Sequence, residues 1–148
     1  MKKKYDFLVL ALIFLILSGC GKNETEIYTE EMNLFYETVN NISVSINAIN
    51  PESDDASEQL MQCLNSMEQA FTSLETIAVP KEYSQNEEFG QKASSSMKQA
   101  VTLYHQAFQS TPFDSGTAAD AKSSYEDAMK YARAIGNVMM GYEVELNQ

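Results

Sequence analysis

Residues 28–49 read YTEEMNLFYETVNNISVSINAI. Within them Tyr28, Met32, Phe35, Val39, Ile42, Ile46 and Ile49 recur at alternating steps of four and three, which places them along one stripe of an α-helix. The last third invites a second reading. Ile42-Ser43-Val44-Ser45-Ile46-Asn47-Ala48 alternates apolar with polar residues and is rich in β-branched types, as a half-buried strand would be. A strand there has no partner, because no other segment alternates comparably, and the heptad runs through the stretch unbroken. The sequence therefore predicts a helix throughout.

Working outward, the same spacing returns at Leu60, Leu64, Met67, Phe71, Leu74 and Ala78. It returns again at Ala118, Ala121, Tyr125, Ala128, Ala132, Ile135, Met139, Tyr142 and Leu146. Between these, Phe89, Ala93, Met97, Val101, Tyr104 and Phe108 step mostly by four, with Ala100 and Ala107 beside them, giving a looser stripe. The punctuation falls between the stripes: Asn50-Pro51 closes the first, Asp55 with Glu58 opens the second, and Pro80 ends it. Ser84 and Glu87 form a capping box before the third. The turn-rich 110–116 stretch and a Thr117/Asp120 box precede the fourth. Short connections between long amphipathic helices predict an all-α, antiparallel up-and-down four-helix bundle over residues 28–148. Large side chains from the first two helices are expected to face the alanine-rich fourth.

Ahead of the bundle stand three lysines at 2–4 and an unbroken apolar run over 7–17. This is the layout of a signal peptide, and eleven residues fall well short of the ~20 that a transmembrane helix needs. Directly after the run comes Leu17-Ser18-Gly19-Cys20, which resembles the lipobox of bacterial lipoproteins. The resemblance implies diacylglycerol on the Cys20 thiol and cleavage after Gly19, making Cys20 the new N-terminus. Residues 1–19 are then the lipoprotein signal peptide and 20–27 a lipidated tether. Two acyl chains supply the two anchoring signals that stable membrane attachment needs. Gly21 follows the cysteine, and by resemblance to Gram-negative lipoproteins it does not signal inner-membrane retention. The segment from Leu74 to Tyr83, where an apolar helix meets Val79-Pro80-Lys81-Glu82-Tyr83, also resembles the hairpin of small helical bacterial lipoproteins.

Cleavage leaves about 129 residues, enough for one domain with its own core. They hold 7 Lys and Arg against 20 Asp and Glu, a balance that repels nucleic-acid phosphates and anionic lipid alike. With Cys20 lipidated, Cys63 is the remaining thiol, so an internal disulfide is not expected.

Chemistry is thinly represented. The single histidine, His105, lies between Tyr104 and Gln106. The Glu-x-x-His pairing of di-metal bundles fails at Thr102, and covalent haem attachment would require a Cys-x-x-Cys-His that is absent. Cys63 and Met67, one helical turn apart, with Met61, Met97, Met129, Met139 and Met140, could offer soft ligands to Cu(I), although core filling accounts for seam methionines such as Met32. Tyr28, Tyr104, Tyr125 and Tyr142 lie on or beside the seams and could line a pocket. Glu52-Ser53-Asp54-Asp55 is too short and glycine-free for a calcium loop and marks a helix start. No catalytic, cofactor or metal residue is assigned. The expectation is a membrane-anchored, non-enzymatic envelope lipoprotein with a protein partner; the alternative is a bundle holding a small ligand, haem or a soft metal, with a cavity beside Tyr104, Tyr125 or Cys63.

Overall fold

A computed structural model describes residues 23–144; Gly19, Cys20 and Leu146 lie outside the described residues. The chain is an all-α four-helix bundle: α1 (Glu24–Ala48), α2 (Ala56–Ser73), a short 3-10 turn (Lys81–Tyr83), α3 (Gln85–Gln109) and α4 (Ser115–Met139). The ambiguous 42–48 stretch is helical. Its hydroxyls are absorbed locally, Ser43 Oγ donating to the Val39 carbonyl and Ser45 Oγ to that of Asn41.

Helix α1 begins inside the stretch read as tether. Asn23 Oδ1 accepts from the Glu26 N–H at 2.8 Å while Glu26 Oε2 accepts from the Asn23 N–H, a complete capping box. Cys20 therefore precedes the helix by four residues, at most about 14 Å of extended chain. At the other end of the hairpin, α2 stops at Ser73 rather than running to Pro80. Leu74, Glu75 and Thr76 each bond back three residues instead of four, and the Ser73 and Thr76 hydroxyls donate to the carbonyls of Ala70 and Ser73. Leu74 remains buried beyond the helix end, whereas Ala78 is exposed.

The three expected N-caps do not form as read: Asp55 stands at the start of α2, but its side chain makes no capping bond. The fourth helix is capped by Asp114, whose Oδ1 accepts from the Gly116 and Thr117 N–H groups at 3.0 Å. Ser84 stays in helical geometry because the 3-10 turn runs directly into α3, and its side chain caps nothing. Helix α4 ends in a Schellman motif, with the Tyr142 N–H on the Asn137 carbonyl and the Gly141 N–H on that of Val138. Gly141 takes φ +81°, the left-handed geometry the motif needs. Tyr142, read as a seam residue, consequently lies beyond the helix and exposed.

The core takes Tyr28, Met32, Phe35 and Val39 from α1, Leu64, Met67 and Phe71 from α2, Phe89, Met97 and Val101 from α3 and Ile135 from α4, with alanines of α3 and α4 between them. Helices α3 and α4 pack most closely. Phe89 against Tyr131, with ring centroids 6.3 Å apart, and Asn86 bonded to the Ile135 carbonyl fix their antiparallel register. That register sets Ala93 level with Ala128 and Ala100 level with Ala121, all four fully buried. At these levels α4 meets α3 small against small, while α1 sets the large side chain of Tyr36 against α4, its hydroxyl donating to the Ala132 carbonyl at 2.8 Å.

Candidate functional site

The two ends of the bundle differ in chemistry. At the end where the chain enters, Tyr28 lies against Tyr83 with centroids 5.6 Å apart, and the Thr25 hydroxyl donates to Glu82 Oε1 at 2.5 Å. Asn86, only 2% exposed, donates from Nδ2 to the Tyr28 hydroxyl at 3.1 Å and to the Ile135 carbonyl at 3.4 Å, joining α1, α3 and α4. Its Oδ1 is buried with no partner. A buried asparagine in a helix seam penalises registers in which its amide finds no acceptor, so Asn86 fixes how three helices align.

Burial pushes the Tyr28 and Tyr36 hydroxyls above their ordinary 10.0. Both are held in the neutral form by the fold and ionise more easily once it opens. Their stabilisation is present below about pH 10 and is lost as pH climbs through the folded-state values. Urea midpoints measured between about pH 8 and 11 should fall with rising pH, and Tyr36→Phe should flatten the fall. An unchanged slope in the variant would remove Tyr36 from the account.

The opposite end carries an apolar groove. Ile46, Asn47, Ile49 and Pro51 from the end of α1 and its loop, Ala56, Ser57 and Leu60 from the start of α2, and Phe108 from the end of α3 line a depression of about 480 Å³. Phe113 packs against Phe108 with tilted rings, centroids 5.3 Å apart, and is 51% exposed, so the apolar surface continues past the groove. Glu52, Asp54, Asp55 and Glu58 flank it, all exposed. Residues 23–80 contain eleven Asp and Glu and no Lys or Arg. The ion pairs among the described residues, Lys92–Glu88, Lys98–Glu75 and Lys122–Glu126, leave those four carboxylates out.

Two further depressions lie along the sides. One, of about 280 Å³, runs between α1 and α2 past Leu34, Phe35 and Ile77. The other, of about 410 Å³, is bounded by Tyr36, Lys130, Arg133 and Asn137.

Of the residues singled out for metal or ligand chemistry, Met67 and Met97 share the core, with Met61, Met129 and Met139 packed against it. Met67 is fully buried in the core with Met32 and Met97, while Cys63 is only partly buried and Met140 is exposed. Among the described residues no three His, Cys, Asp or Glu side chains gather as a metal set. His105 Nε2 lies 2.9 Å from Asn65 Oδ1, a pairing of α3 with α2 at the bundle surface. Tyr125 and Tyr104 are half-buried, and burial raises both hydroxyls. The grooves described above are lined by neither of these tyrosines nor by Cys63.

Val138 packs against the core, whereas Phe113 is exposed. Sequence reasoning treated Ile46, Ile49, Leu60 and Phe108 as seam. The available signal was that the first seam runs on to Ile49, two turns beyond Ile42, while the fourth helix starts with small and polar residues at that end. Compared with protein-family models, curated proteins and solved structures, the chain matches none of them.

Proposed function

We propose that this chain is a lipid-anchored, extracytoplasmic lipoprotein whose helical bundle is a non-enzymatic binding module for another protein of the cell envelope. The observation that carries the reading is Leu17-Ser18-Gly19-Cys20 set directly against an eleven-residue apolar run. Two features support it. The start of α1 at Glu24 leaves too little tether for the bundle to stray far from Cys20, and no described helix is long and apolar enough to cross a membrane. An anchored bundle about 37 Å long would hold one end at the bilayer and present the other outward. That outward end is the one with the apolar groove.

The test is metabolic labelling of the full chain with an alkyne fatty acid. Label on the wild type and its complete loss in Cys20→Ser, with a matching failure of signal cleavage or release from the membrane fraction, is the expected result. Undiminished label in Cys20→Ser would overturn the anchor.

A further inference from the structure

We infer that the groove of Ile46, Ile49, Pro51, Leu60 and Phe108 is the docking site for a basic, amphipathic helix of a partner protein. The inference deepens the partner-binding reading above but does not depend on the lipid.

The occupant follows from what surrounds the groove. The segments that flank the described residues adjoin the other end of the bundle, where Asn23 opens α1 and the Val144 carbonyl accepts from Gln85 at the start of α3. A second copy of this chain would bring the same exposed Glu52, Asp54, Asp55 and Glu58 against their counterparts, with no Lys or Arg on α1 or α2 to offset them. Like charges facing each other across an interface are disfavoured, whereas lysines or arginines flanking an apolar stripe meet this rim in complementary sense. A helix satisfies both demands, setting apolar side chains at i, i+3 or i+4 into the groove and basic ones onto the carboxylates beside it. Phe113, packed against Phe108, extends the apolar surface that such a helix would cover.

The full chain, purified in nanodiscs of zwitterionic lipid with isotope-labelled methyl groups, is titrated with a 14-residue peptide of leucines at helical spacing and lysines elsewhere, and with its glutamate counterpart. The expected result is shifts confined to the Ile46, Ile49 and Leu60 methyls with the lysine peptide alone. Glu52→Gln/Asp54→Asn/Glu58→Gln, which alters exposed side chains outside the core, should weaken that binding by about tenfold or more. Ile49→Asn should weaken it independently of salt. Shifts centred on Leu34 would move the partner to the α1–α2 side groove and overturn this site while keeping a binding bundle. The inference also fails if neither peptide binds, if both bind equally, or if sedimentation shows a dimer that buries these methyls. Fatty-acid labelling at Cys20 is unaffected by any of these results, so the anchor and the groove stand or fall separately.

Discussion

Replacing Phe71 by alanine is expected to destabilise the bundle by about 3–5 kcal/mol in urea denaturation. Phe71 is fully buried in the last turn of α2 and meets Phe35 of α1 edge to face with centroids 5.2 Å apart. Removing it forfeits the transfer of a phenyl ring out of water and leaves a cavity, because Met67 and Phe35 are themselves held by the surrounding core. The ring pair adds a coupling of about 0.5–1.5 kcal/mol beyond burial, so Phe35→Ala/Phe71→Ala should cost less than the two single changes combined. Phe113→Ala is the control, since that ring is half exposed and should cost far less. Equal losses at 71 and 113 would mean that α2 does not lie against α1 as described.

That prediction rests on a residue legible in the sequence, and the reason is physical. Tyr28, Met32, Phe35 and Val39, like Leu64, Met67 and Phe71, are large and apolar against a polar background, so their spacing is visible without any structure. Helix α3 hides its seam. Asn86, Gly90, Ala93, Met97, Ala100, Tyr104 and Ala107 step strictly by four and three, and all but the half-buried Tyr104 are buried. Glycine, alanine and asparagine carry little hydrophobic signal, so the stripe appears looser and centred on Phe89 and Val101. Chain ends were less legible for a different reason. Whether Ser84 or Asp114 caps a helix depends on backbone geometry just outside it, and whether α2 continues past Ser73 depends on hydroxyls competing for carbonyls.

The groove illustrates the remaining limit. Its residues are ordinary seam positions by spacing, and nothing in their identity distinguishes a covered isoleucine from an uncovered one. Helix α4 begins at that end of the bundle with Ser115, Gly116, Thr117, Ala118 and Ala119, which bring little apolar bulk to it.

Substituting leucine for Ala100 tests the close packing of α3 against α4 directly. Ala100 is fully buried midway along α3 and level with Ala121, which is fully buried on α4. A leucine there adds three carbons to a space that holds two methyl groups. The added volume has to be taken up by separating the helices or by strained rotamers, at about 1–3 kcal/mol or more. Separation would also stretch the Asn86 contact with the Ile135 carbonyl, already 3.4 Å, so amide exchange should rise along α4 as well as α3. Gln99→Leu adds apolar bulk one residue earlier on the exposed face and should leave stability nearly unchanged. If Ala100→Leu were as stable as the wild type, α3 and α4 would have room between them. The small-against-small seam at that level would be wrong.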